Sequence, residues 1–263
     1  MAESIREIGL IVFPIMGVHP AEISRLVERM SLSESVEVMK GGLDCAAEYV
    51  RDGRAVALKS GRPHYEVSPE VFAASNEVLA HALELAAGYR CALQIHAESG
   101  PCADVVDMAG AVGMPIERVV KHYGSPETPL HPSLVARHEA VPVLARELRP
   151  FTMESDFIDE NSRPDSVTGP KSVPRITKKL LESGVITEED CWRIHGETPE
   201  KVYGVRITLY PEQVLLLPSF IWWLGKTADQ CISKSTGRPG RVTWLRSATA
   251  NCSIRPSRTT TSK

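Results

Sequence analysis

Four stretches of the 263-residue chain share one form: an apolar run, then a residue that can hold a metal ion or a charge, then a turn. AVALKSGRP delivers Lys59, CALQIHAESG delivers His96, RVVKHYGSP delivers His122, and RPFTMESDFIDENSR delivers Asp156. The order His, His, Asp at successive strand ends points to a divalent-metal site. Imidazole nitrogen and carboxylate oxygen both offer lone pairs, and suit zinc, manganese or magnesium. Held rigidly with one position open, such an ion activates water for hydrolysis. Taken singly, each residue has a plainer reading, as a hydrogen-bonded histidine at a strand terminus or a loop carboxylate. Lys59 stands apart, because an ammonium has no lone pair. It ligates metal only if carboxylated by carbon dioxide; otherwise it is a cleft charge that attracts an anionic substrate.

Other polar residues accompany these four. Arg62 and His64 follow Lys59 in one loop, where the planar fork of an arginine suits phosphate. Glu98 lies two residues beyond His96, on the same side of an extended chain, and could orient a ligand or bind substrate. His19 closes the first apolar run and lines the same cleft or faces solvent. Lys121 points away from its neighbour His122 and reads as structural. His81, His131, His138 and His195 fall on expected helices and carry no assigned chemistry.

The elements that would position these residues alternate. The run Ile8 to Val18 reads as a buried strand, followed by a helix over Ala21–Met30 and another over Ser35–Arg51. A short strand over Ala55–Leu58 leads to Lys59. Ser68-Pro69-Glu70 opens a helix to about Ala87, with serine as cap and proline in the first turn. A strand over Arg90–Ile95 ends at His96. A helix covers Cys102–Val112, and Arg118–Val120 leads to His122. His131–Glu139 reads as helix and Val141–Leu144 as a weak strand, before the strand that ends at Asp156. Helices over Val173–Ser183, from Thr187, and from Thr198 to about Gly204 complete the series. Such alternation predicts a parallel sheet with helical crossovers. In a parallel α/β barrel, strand ends of this kind carry the chemistry.

Hydrophobic residues make up 43% of the chain and charged residues 24%, as in an ordinary globular protein. The net charge of −3 favours neither nucleic acid nor membrane. That average hides a split: from Thr208 onward the charge is +6, against −9 for the residues before it. The jump predicts two parts, a barrel over 1–207 and a basic, weakly ordered tail over 208–263. Six scattered cysteines without CxxC spacing predict free thiols in a reducing cytoplasm, with Cys91 in the core. The most apolar run, Val214 to Gly225, is shorter than the roughly 20 residues that span a bilayer.

Six blocks taken together resemble a known family. GVHP, KSGRPHYEVSPEVF, LQIHAESG, VVKHYGSP, MESDFIDE and ETPEKVYGV are similar, in order and spacing, to the archaeal branch of the TatD-related metal-dependent hydrolases. These belong to the amidohydrolase superfamily of TIM barrels. The resemblance spans Ile8 to Val205 and implies an α/β fold, a TIM-type (β/α)8 barrel incomplete at its N-terminus, with one or two divalent metal ions. It implies metal-activated hydrolysis of a phosphodiester, DNA being the family's substrate. By position, His96 and His122 match the two mid-chain histidine ligands. Asp156 matches the aspartate that binds metal and takes the proton from water. Glu154 keeps the acid two residues before it.

Two departures stand out. The family's first strand ends in a His-x-His pair that this sequence lacks, as though about two strands were missing ahead of Met1. The family's bridging glutamate, in a GEIGRPH-like loop, is Lys59 in LKSGRPH. A hydrolase acting on a C–N bond, and a barrel remnant without catalysis, are the alternatives. The expected partners are a phosphodiester or other small anionic substrate, DNA among them, and no membrane. The strand edges of an incomplete barrel invite association between copies.

Overall fold

The computed structural model describes residues 2–7, 10–157 and 169–207, with the backbone of a two-residue strand at 248–249. Six strands follow one another across a parallel sheet: β1 (Ile15–Gly17), β2 (Ala57–Gly61), β3 (Ala92–His96), β4 (Val119–Lys121), β5 (His131–Val135) and β6 (Thr152–Glu154). Each pairs with the next in parallel. A further strand, β7 (Ala248–Thr249), pairs with the free side of β1. Because sequence order equals spatial order, the sheet winds in one direction, as a barrel wall does. The described strands form an open, half-barrel sheet and not a ring of eight.

Nearest the sheet, the outer layer is built by α3 (Leu32–Arg51) and α4 (Pro69–Gly88). Ser31 starts α3 through a reciprocal capping box with Glu34, earlier than the Ser35 start expected from hydrophobic spacing. Ser68 caps α4 and Pro69 occupies its first turn, as the sequence predicts. Leu43, Leu79 and Leu83 from these helices meet Leu58, Leu93 and Ile95 from the strands in one fully buried cluster. Cys91 joins it, as expected. Alternate strand residues face the other way. There Ala57, Ala92 and Val120 pack on Val202 of α9 (Thr198–Tyr203), which closes the foot of the concave face.

Two expectations are reversed. His131–Val135 is strand, not helix, and α6 (Val141–Arg146) is helix, not strand. In the first, His131, Ser133 and Val135 alternate with Pro132 and Leu134. The short apolar spacing fits either period, and the pairing partners β4 and β6 decide it. In the second, Pro142 sits in the first turn, where its missing N–H costs nothing, and this outweighs the β-branched valines. His131 thus belongs to the concave wall and not to a helix. The first apolar run is also less regular than expected: only Ile15–Gly17 pairs, and Ile11 is half exposed. The basic tail expected beyond 207, apart from the backbone of β7, lies outside the described residues, as do residues 158–168. Among the described residues no helix is long and apolar enough to cross a membrane.

No side chain fits between the ends of β2 and β3 at Gly61. Gly61 has a φ of +148°, and a Cβ there would come 1.7 Å from the carbonyl oxygen of His96. The neighbouring Arg62 N–H donates to that same oxygen at 2.8 Å. Gly61→Ala is therefore expected to lose on the order of 2–4 kcal/mol of stability, read as a lower urea midpoint, because neither backbone can yield without unpairing β2 from β3.

Candidate metal centre

The C-terminal ends of the strands converge on a group of imidazoles. His96 is the last residue of β3, and His122 directly follows β4. Their ring centroids are 5.3 Å apart. His19, two residues beyond β1, stands 4.6 Å from His96, and His64, from the loop after β2, stands 4.8 Å from it. Asp156 completes the group, with Oδ1 3.2 Å from His122 Nε2. The sequence-selected His96, His122 and Asp156 are thus together, at one rim, with His19 and His64 alongside.

Glu154 organises the far side. At the last position of β6, it accepts from His122 Nδ1 at 3.0 Å, from the backbone N–H of Tyr123 at 2.9 Å and from Ser133 Oγ at 2.5 Å. The spacing Glu-x-Asp places both acids on one side of an extended chain, and that is the sequence sign of this clamp. Ser133 and Tyr123 carried no such sign. Asp156 has a φ of +48°, in the left-handed region that aspartate tolerates better than most residues.

Charge and burial set the protonation states. Burial, then the neighbouring positive groups led by His19 and Lys59, pushes His96 down to about 2. Burial and Lys59 push His19 down to about 4. Both rings are therefore neutral near pH 7. His19 Nδ1 accepts the Ala21 N–H at 3.2 Å, so the proton of its neutral ring lies on Nε2. That makes His19 a hydrogen-bond donor toward the cleft. Burial also lowers His122, but Asp156 and Glu154 outweigh it and the net shift is upward. Lys59 points into the same group; burial pulls it down to about 8 against the attraction of Glu154 and Asp156.

This donor set suits a divalent cation. With the Nδ1 proton given to Glu154, His122 Nε2 and Asp156 Oδ1 face each other as two lone-pair donors. They need either an extra proton or a cation between them. The His96 Nε2 to His64 Nδ1 contact of 2.8 Å, by contrast, needs only the one N–H that either neutral ring can supply. A histidine oriented by a carboxylate on its other nitrogen is the usual arrangement of a metal ligand. Among the described residues, no three His, Cys, Asp or Glu side chains already surround one ion position. His96, His122 and Asp156 are the residues that would hold such an ion.

Arg62 and Glu98 stand differently from the substrate contacts expected of them. The Arg62 side chain is 2% exposed, and its guanidinium is engaged by Glu98, Asp104 and Asn76. It ties the end of β2 to the loop after β3 and to α5 (Asp104–Ala111), behind His96. Its fork is filled by protein carboxylates before any phosphate arrives. Glu98, the other half of this tie, orients the loop and not a metal ligand. Lys121 is buried and donates to the carbonyls of Ala97 and His122, a structural role as expected. His81 on α4 meets Asp44, and His195 in the π-helical turn Arg193–Glu197 meets Thr177.

Arg62→Leu is expected to cost about 2 kcal/mol, since its two acids remain partly exposed and are rehydrated. Hydrogen bonding to Arg62 is the main cause that holds Asp104 below its ordinary 3.8. Burial would raise Glu98, but Arg62 wins and holds it below 4.5. The tie's stability is therefore fully present above those ordinary values and is lost as pH falls through the lowered ones. The gap between wild type and variant in urea denaturation should be full at pH 7 and narrow below about pH 4.

Comparison with known proteins accords with this geometry. A family model described as TatD related DNase matches residues 1–204. The chain belongs to the TatD-related DNase family. An uncharacterised protein of Methanocaldococcus jannaschii is 38% identical over 208 residues, covering 75% of this chain and 74% of that relative. The TatD match ends at the helix α9 that closes the foot of the concave face. TatD membership supports a hydrolase, and a parallel half-barrel sheet is consistent with the TIM-type barrel of the family.

Proposed function

We propose that this TatD-family chain is a metal-dependent phosphodiesterase, working on a DNA-type strand from the rim of a (β/α)8-type barrel. The observation that carries the reading is the His122 ring, gripped by Glu154 on one nitrogen and faced by Asp156 on the other, beside a neutral His96. A divalent ion held by His96, His122 and Asp156 supplies Lewis acidity and activates water. The protein's own groups do the rest. Asp156 takes the proton from the attacking water as the new P–O bond forms, while the bond from phosphorus to the leaving oxygen breaks and that oxygen takes a proton from solvent. The Nε2–H of His19 donates to a phosphate oxygen, and Lys59 sets a positive charge beside it. His64 holds the His96 ring in place through its 2.8 Å contact.

The test is turnover of a labelled oligonucleotide and of a simple phosphodiester by protein stripped of metal and then restored with zinc or manganese. The reading expects no cleavage by the stripped protein and cleavage on restoration. Absence of cleavage with every divalent ion, or cleavage of amides alone, would refute it.

A further inference from the structure

Tyr123 directly follows His122, yet it is 64% exposed. Its φ is +52°, a left-handed conformation that a bulky aromatic residue rarely adopts. The backbone is held there by the N–H bond to Glu154, the carboxylate that also fixes His122. One acid thus aims an imidazole inward and a phenol ring outward. The two rings stand 6.3 Å apart, nearly edge to face. Across the imidazole group Tyr65 repeats the arrangement: it follows His64, stands 5.2 Å from it edge-on, and is 40% exposed. Its hydroxyl bonds Ser24 at 2.8 Å, which ties the ring to α2 (Glu22–Leu26).

An exposed aromatic ring in a costly backbone conformation is otherwise a liability. Burial of a hydrophobic side chain does not account for it, since most of the ring faces water. Backbone outliers of this kind gather at sites that grip a ligand. Aromatic faces beside a phosphodiester site bind flat rings by stacking, whatever the base.

The geometry points to Tyr123, with Tyr65 as the opposing ring, as a specificity-determining side chain that stacks an unpaired planar base next to the scissile phosphodiester. The inference rests on the phosphodiesterase reading and adds to it the residue that recognises the substrate's rings. The bases are gripped by stacking, and Lys59 and His19 meet the phosphate between them.

The experiment compares oligothymidylate with an abasic strand of equal length, by fluorescence anisotropy on the full chain. Wild type should prefer the base-bearing strand by about ten-fold or more, the range of one stacked base. Tyr123→Leu should abolish that preference and leave binding of the abasic strand unchanged. Tyr123→Phe should keep it. Tyr89→Leu, on a 37% exposed tyrosine at the end of α4, should also keep it. Matching thermal melts show that the variants are folded. A wild type without preference for bases, or a preference that survives Tyr123→Leu, overturns the inference. Cleavage of the abasic strand by wild type tests the phosphodiesterase reading separately. A folded enzyme that cuts both strands alike refutes the stacking role alone.

Discussion

Asp156→Asn is expected to reduce turnover about a thousand-fold while leaving the fold intact, within the range associated with a positioned general base. Asparagine has nearly the shape of aspartate and shares its tolerance of the left-handed backbone at φ +48°. The carboxylamide keeps an oxygen toward His122 but cannot take a proton from water. Asp156→Gly supplies the contrast: it relieves the backbone and should raise stability by about 0.5–1 kcal/mol while losing the same activity. Melting temperature and kcat measured together separate the two effects. A variant that loses activity only in proportion to its unfolding would make Asp156 a structural residue.

Glu154→Ala has the second largest expected effect, and it acts through other groups. The side chain of Glu154 is only 12% exposed and receives three donors from two places in the chain. Its loss leaves the Tyr123 N–H and the Ser133 hydroxyl without their partner, which costs about 2–3 kcal/mol. It also frees the His122 ring to turn and to change tautomer. Metal affinity should fall about 10- to 100-fold, as when other carboxylates behind a ligating histidine are removed. Calorimetric titration with zinc and urea denaturation read the two losses independently. Glu154→Gln should recover part of the stability, since an amide oxygen still accepts from Tyr123 or Ser133. It should recover less of the affinity, because the amide NH2 opposes the Nδ1 proton of His122. Equal affinity in wild type and Glu154→Ala would show that His122 needs no orienting carboxylate.

The part of this arrangement that was legible in the sequence is the part governed by local pattern. An apolar run closed by a polar residue and a turn marks a buried strand whose end meets the cleft. His96, His122 and Asp156 are found at such ends, whereas Lys59 lies in mid-strand, the third of the five residues of β2. The capping Ser68, Pro69 and the alternation of strands with helices are local too, and they lead to a parallel sheet. What was not legible depends on partners remote in the chain. Arg62 reads as a phosphate fork because nothing near it shows that Asp104, 42 residues on, fills the fork. His131 reads as helical because a short apolar stretch fits either period until β4 and β6 are known. The tautomer of His19 and the exposure of Tyr123 are set by backbone geometry, on which residue type is silent.

An ion shared by His96, His122 and Asp156 is the centre of the proposed chemistry. The most direct measurement is metal stoichiometry after dialysis, with X-ray absorption at the zinc edge, on wild type and on the His96→Ala/His122→Ala double variant. The account predicts at least one ion per wild-type chain, with two or more imidazoles in its shell, and its loss from a folded double variant. An equal ion content in both proteins, or an ion without imidazole ligands, would contradict it.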